Sequence, residues 1–558
     1  MNLVARQFQF VGQRLAPVSL CLFMALATGL GWSAAQDDLL SELTLEQRVA
    51  QLFIVNLYGG QMTEAGRDFL RDYQPGGVVL LGDNLGDPAA ITRLTNQYQQ
   101  TIAEAGGIPL LIAVDQEGGP ISHLREGFTT FPTPALMTAA GDADLAYRVG
   151  QAMGRELRAV GVNMNLAPVA DLETNRNNPI ITRRSFGSDP QQVSAALGPF
   201  IEGMQAEGVL ATAKHFPGHG DSADDSHTTL PVIDLSRERL ETVELIPFKA
   251  AIEAGVSTVM AAHIWYPALE AEANRPASLS AAILSDLLRE EMGFDGLIMT
   301  DALDMDAIDT VYSYPSAVLA AVQAGADVVI AAHIGLNAQM AAINAVAEAV
   351  RRGEIAEARI DESARRVLAA KAAFGVLDWQ PLAVGEAAAR LDLAGHEALV
   401  QELFDAGVTI ARDVGGVLPL RDDTAVAMIY PATRTQIMRE CSPYSVAVQW
   451  VGVSGSPSET EIAWAVDAAR RQDVAVVFTQ NAETDRAQQA LVRALPPEKT
   501  VVVALWSPYD WLAFPQVAGY MVTYSPLNAA VPAACKVLFG AVESEARLSI
   551  ALDGITGG

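Results

Sequence analysis

The chain has 558 residues, half of them hydrophobic and 18% charged, with a formal net charge of −29. That length suits two to four domains, and the hydrophobic share supplies a sizeable core and excludes a disordered chain. An acidic chain with no basic cluster does not suit nucleic acid or an anionic membrane surface as its partner, and it leaves neutral sugars and peptides open.

Residues 1–35 read as an export signal. Arg6 and Arg14 make a positive start, Leu15 to Gly31 is uncharged and apolar, and Ser33-Ala34-Ala35 offers small residues for cleavage before Gln36. A secreted or cell-envelope protein is expected; the other reading is a retained anchor helix. Cys21 lies in this segment. The remaining Cys441 and Cys535 fit no zinc or redox motif, and a disulfide and two buried thiols both stay open.

After a helix start at Thr44, eight apolar strand-like runs alternate with helical, Ala-rich stretches: 52–57, 77–81, 109–114, 163–168, 209–213, 256–262, 296–299 and 326–331. Continuous apolar strands between amphipathic helices mean a parallel sheet covered by helices, and eight of them predict a (β/α)8 barrel over residues 36–375. In such a barrel the loops after the strands build the site. Strand three runs into Asp115-Gln116-Glu117-Gly118-Gly119. Strand four leads to Asp171 and a long Asn-rich loop with Arg183 and Arg184. Strand five ends in Lys214-His215, followed by Pro217, Gly218, Gly220, Asp221, Asp224, Asp225 and His227. Strand seven ends in Thr300-Asp301. His215, His219, His227, His263 and His333 all fall at or just past a strand end, which marks one face of the barrel as catalytic.

Residues 376–390, with Pro381 and Gly385, read as a linker. Residues 391–558 read as a smaller α/β sandwich domain with a doubly wound sheet. Its strands are expected at 408–411, 425–430, 446–450, 474–478, 500–505 and 520–524, with a terminal strand at Arg547–Leu552. It carries no G-x-G-x-x-G, no phosphate loop and no catalytic constellation, so no cofactor is expected.

Asp301, just past an apolar strand, can attack an electrophilic carbon or hold a metal. A metallohydrolase is the rival class, with Asp115, Glu117, Asp171, Asp225 and the histidines as further ligands. Against it, no metal motif sits on a single strand end, and Lys214 and Arg184 bring positive charge where a cation would sit, so no metal is expected. Lys and Arg beside Asp115 suit gripping vicinal hydroxyls. A nucleophilic carboxylate with a separate proton donor is the minimum for retaining glycoside hydrolysis. Asp225 and His227, two apart, meet if the loop bends, and the carboxylate then orients the imidazole as an acid/base.

These stretches resemble glycoside hydrolase family 3, in its bacterial β-N-acetylglucosaminidase branch. The matches are VDQEGG (Val114–Gly119), NLAPVADL (Asn165–Leu172), RSFG (Arg184–Gly187), KHFPGHGD with DSH (Lys214–Asp221, Asp225–His227) and GFDGLIMTDALDM (Gly293–Met305). The C-terminal part is a weaker match, through SPYDW (Ser507–Trp511) and the closing RLSIAL. The resemblance implies that Asp301 is the nucleophile of a covalent glycosyl-enzyme. His227 is then the general acid/base, oriented by Asp225, and Asp115, Arg184, Lys214 and His215 bind the terminal sugar. It implies removal of terminal β-linked N-acetylglucosamine from peptidoglycan fragments or chitooligosaccharides. The alternatives are a β-glucosidase, a phosphate-dependent phosphorylase of the same family, and a non-catalytic sugar-binding protein. The family's arginine after DQEGG is replaced here by Pro120. The bland readings are that Lys214 pairs with Asp171, that Glu117 caps the turn after it, that His219 braces its loop, and that His263 and His333 line the barrel mouth. The oligomeric state stays open.

Overall fold

The computed structural model describes residues 34–226, 229–309, 311–445 and 447–555. The export signal, apart from its last two residues, and His227 lie outside them. Thr44 caps its helix as expected: its hydroxyl accepts from Gln47 N, and the Gln47 side chain accepts from Thr44 N. Among the described residues no helix is long and apolar enough to cross a membrane.

Eight parallel strands close into a barrel: β1 (Phe53–Val55), β2 (Gly77–Val79), β3 (Leu111–Val114), β4 (Met164–Asn165), β5 (Leu210–Phe216), β6 (Thr258–Ala261), β7 (Leu297–Ala302) and β8 (Val328–Ala331). Phe53 opposite Val329 and Ile54 opposite Ile330 register the closure. Each strand alternates inward and outward residues. Ile54, Val79, Leu111, Met164, Leu210, Met260, Leu297 and Ile330 fill the interior, while Phe53, Ile112, Val259 and Val329 pack outward into the larger core under the helices. Two strands run further than the apolar pattern. Lys214 pairs with Met260 and Phe216 with Ala261, while Thr300 pairs with Ala261 and Ala302 with Ile330. Lys214, His215 and Asp301 are thus strand residues rather than loop residues, because ladder bonds are made by backbone and continue wherever a neighbour is long enough.

The floor of the barrel is closed by Val367, Ala370 and Val376. Lys371 is fully buried beside them, its Nζ 2.7 Å from Gln51 Oε1. Burial brings its pKa down to about 7.

Between the helix Glu357–Ala373 and the helix Leu393–Gly407, the chain lies along the barrel. Asn96 exchanges two hydrogen bonds with Leu382, at 2.7 and 3.0 Å, and Arg390 Nε donates to Ala159 O at 2.9 Å. The second sheet has six strands: β9 (Thr409–Asp413), β10 (Val426–Pro431), β11 (Val448–Val453), β12 (Val474–Thr479), β13 (Thr500–Ala504) and β14 (Gly519–Val522). Their order is β9-β14-β13-β12-β10-β11, with β9 antiparallel to β14 and the rest parallel. A disulfide joins Cys441 to Cys535, which selects between the two readings of these cysteines.

The expected terminal strand at Arg547–Leu552 does not form. Its backbone is bonded by the barrel instead: Ser188 N donates to Ser549 O at 2.9 Å, Ala551 N to Ser188 Oγ at 2.7 Å, and Arg547 N to Ala139 O at 3.0 Å. Its apolar residues serve docking between domains, which a period-two pattern does not distinguish from a strand.

Candidate active site

The carboxyl ends of β3, β4, β5 and β7 bring the expected residues together. After β3 the chain makes a two-stranded ribbon, Gln116–Gly118 against Ile121–Ser122. Gly118 and Gly119 turn it at φ 88° and 59°, and a Cβ on Gly118 would lie 2.7 Å from Pro132 O. Asp115 and Glu117, two apart on extended chain, share one side. Lys214 Nζ sits between them, 2.5 Å from Asp115 Oδ1 and 2.8 Å from Glu117 Oε1. Arg184 forks onto Glu117, with Nη2 to Oε1 at 2.8 Å and Nε to Oε2 at 2.9 Å. Glu117 is therefore the centre of a buried ion cluster and not a turn cap. Burial alone would raise its carboxyl, but Arg184 and Lys214 pull it down to about 2. Asp115 is the open member, with a side chain 20% exposed against 1% for Glu117.

Lys214 does not pair with Asp171. That carboxylate accepts from His215 N at 3.1 Å, His219 N at 2.6 Å and the His215 ring at Nδ1, 2.7 Å away. Burial, reinforced by the charge of Arg184, keeps the His215 pKa well below its ordinary value. A neutral ring whose Nδ1–H donates to Asp171 leaves Nε2 as a hydrogen-bond acceptor. The loop after β5 is tied to the loop after β4: Asn178 Nδ2 donates to His219 O and Gly220 O, at 2.9 and 3.1 Å. A Cβ on Gly220 would fall 1.6 Å from Leu172 O, so only glycine allows this approach. His219 Nε2 lies 3.0 Å from Ser226 Oγ, a bracing contact at the start of the segment that carries Asp225. Asp225 O accepts from Thr229 N at 3.1 Å. Asp225 is half-buried.

Asp301 stands at the end of β7, its Oδ1 accepting from Ala302 N at 2.7 Å. Burial would raise its pKa, but His263 and the Ala302 N–H hold it below the ordinary aspartate value, so the carboxylate is ionised at neutral pH. His263 is more than a lining residue: its Nε2 donates to Ala302 O at 2.9 Å, and Nδ1 meets Ser278 Oγ at 2.7 Å. It fixes the strand end that carries Asp301. His333 is exposed, at φ 44°, and makes no such contribution. The roles of Glu117, Asp171 and His263 escaped the sequence reading. The spacing of Asp115 and Glu117 was the one signal that would have found the first.

An ionised aspartate beside donors and acceptors fitted to hydroxyls, on the carboxyl face of a parallel eight-stranded barrel, is an arrangement that suits a glycoside hydrolase. The sequence comparisons agree. The chain belongs to glycosyl hydrolase family 3, whose N-terminal domain matches residues 44–370. It is 34% identical over 382 residues to beta-hexosaminidase A of Pseudoalteromonas piscicida, a match that covers 64% of this chain and 63% of that protein. It is 32% identical over 400 residues to a beta-N-acetylglucosaminidase/beta-glucosidase of Cellulomonas fimi, with coverages of 70% and 68%. Its fold is similar to a family 3 beta-N-acetylglucosaminidase from Paenibacillus sp. str. FPU-7. That match has a TM-score of 0.79 and 35% identity, and covers 91% of this chain and 99% of that one.

Proposed function

We propose that this chain is an exported, exo-acting, retaining β-N-acetylglucosaminidase that removes terminal N-acetylglucosamine from chitooligosaccharides or peptidoglycan fragments. The observation that carries the reading is Asp301, held ionised at the end of β7 next to the Lys214, Asp115, Glu117 and Arg184 cluster. The names of the relatives support the substrate class. A disulfide between Cys441 and Cys535 fits an oxidising compartment and supports export.

In the proposed mechanism Asp115 and Lys214 take hydroxyls of the terminal sugar, and His215 Nε2 accepts from another. Arg184 keeps Glu117 ionised and Lys214 in place. An Asp301 oxygen attacks C1 as the C1–O bond to the leaving group breaks. His227, in its imidazolium form and oriented by Asp225, gives its proton to the departing oxygen. His227, now neutral, then takes a proton from water. The water oxygen bonds to C1, the ester bond to Asp301 breaks, and the carboxylate and imidazolium are restored. A histidine donor keeps a second negative charge away from Asp301.

The test is a panel of p-nitrophenyl β-glycosides with and without phosphate, with the first-formed sugar observed by proton NMR. Free β-N-acetylglucosamine, formed at a rate independent of phosphate, supports the reading. A sugar 1-phosphate would make the chain a phosphorylase, a preference for the β-glucoside would make it a β-glucosidase, and an initial α-anomer would exclude double displacement.

A further inference from the structure

Among the described residues the second sheet ends on β9 at one side and on β11 at the other. A sheet edge offers unpaired N–H and C=O groups to any other chain, and proteins blunt it with charge, proline or a bulge. β9 is blunted: it carries Arg412 and Asp413, and its register shifts between Ile410 and Arg412. β11 is not. Its sequence VQWVGV holds no charge and no proline, and it pairs with β10 from end to end without a shift.

The ladder shows what the outer side of β11 presents. Val426 N donates to Ala447 O at 2.9 Å, and Ala432 N to Val453 O at 2.7 Å, so the odd-numbered residues bond to β10. Val448, Trp450 and Gly452 turn their backbone groups outward. Gly452 is exposed, and Val448 to Val451 are half-buried.

The helix Glu459–Arg471 packs over β10 and β11. Its 13 residues and the 6 of the strand both span about 20 Å, so their midpoints coincide. Trp464, near the middle of the helix, is 62% exposed, more than any other large apolar side chain among the described residues. The helix is acidic in its first turn, at Glu459 and Glu461, and basic in its last, at Arg470 and Arg471.

We propose that β11 pairs antiparallel with β11 of a second copy of this chain, forming a two-fold dimer with one continuous sheet. Centred on Trp450, this pairing sets Val448 against Gly452 and Trp450 against its own copy, with about six hydrogen bonds between the chains. Strands in a sheet lie about 4.8 Å apart, so the two overlying helices run antiparallel about 10 Å apart, at the packing distance of helices. The acidic end of each helix then meets the basic end of the other, and Trp464 is covered near the two-fold. The surface complements itself in shape and in charge, which is what a second copy requires. The contact closes on itself and stops at two copies.

The test is sedimentation velocity on the full chain. The wild type should sediment as a dimer at about 10 µM. Gly452→Pro removes an outward N–H and leaves the bonds to β10 in place, while Trp464→Glu sets a negative charge against its own copy. Each should raise the dissociation constant about 30-fold or more and leave monomer at that concentration. Thermal melts, and kcat/KM per chain on p-nitrophenyl β-N-acetylglucosaminide, should match the wild type, since neither residue belongs to the barrel. If the proline variant does not fold, Trp464→Glu decides alone. A wild type that stays monomeric up to about 100 µM overturns the proposal. So does a dimer that either folded variant leaves intact. A monomeric wild type that binds insoluble chitin, with binding lost in Trp464→Glu, overturns it in favour of a sugar-binding platform.

Discussion

Glu117→Gln is the most informative single change in the barrel mouth. Glu117 accepts two hydrogen bonds from Arg184 and contacts Lys214 at 2.8 Å, with its own side chain 1% exposed. The amide keeps the shape and one acceptor but removes the charge, leaving two buried cations facing Asp115 alone. The fall of the Glu117 pKa from 4.5 to about 2 corresponds to about 3 kcal/mol in favour of the ionised form. That figure meets the lower end of the roughly 3–5 kcal/mol for breaking a buried ion pair. At about 2–4 °C per kcal/mol for a domain of this size, Tm should drop by about 6–12 °C at pH 7. Because the folded pKa is depressed, this contribution is present above pH 4.5 and is lost as pH falls toward 2. The wild-type advantage in Tm should therefore shrink through that window. With Lys214 and Arg184 no longer fixed, kcat/KM on p-nitrophenyl β-N-acetylglucosaminide at 25 °C should fall about 10²-fold. Thermal melts followed by circular dichroism, with kinetics on the same preparations, check both. A variant that melts with the wild type and keeps its kcat/KM would refute the reasoning.

Lys371→Met at the barrel floor should stabilise the protein. A lysine whose pKa falls from 10.5 to about 7 on folding costs on the order of 5 kcal/mol when protonated. Urea unfolding should show the variant's advantage in full below pH 7 and fading as pH rises toward 10.5; an advantage independent of pH would contradict this. Cys441→Ser with Cys535→Ser opens a link between residues 94 apart, worth about 4–5 kcal/mol by chain entropy, and should lower the Tm of the second domain in a way that dithiothreitol imitates on the wild type. His263→Ala should lower kcat more than it raises KM. It should also move the acid limb of the kcat/KM profile upward, because Asp301 loses a neighbour that holds its pKa down; an unmoved acid limb would count against that positioning role.

The barrel strands were legible because parallel strands buried on both faces read as unbroken apolar runs. Their ends were not legible, since β5 and β7 continue through Lys214, His215 and Asp301 on backbone pairing that side chains do not report. The same limit works in reverse at Arg547–Leu552, where an apolar pattern serves contact with Ser188 and Ala139 rather than a sheet. At the site, the sequence placed Asp115, Arg184, Lys214, His215 and Asp301 near one another because their strand ends share a face. It could not assign partners within that face. Asp171 holds His215 and Glu117 holds Lys214, a distinction set by ångström-scale geometry between loops far apart in the chain.

The proposed covalent role of Asp301 is tested most directly by trapping. The enzyme would be incubated with 5-fluoro-β-N-acetylglucosaminyl fluoride, digested and sequenced by mass spectrometry. One fluorinated N-acetylhexosaminyl group is expected, on Asp301. A label on another carboxylate, or an active enzyme that forms no adduct and releases the α-anomer first, would contradict it.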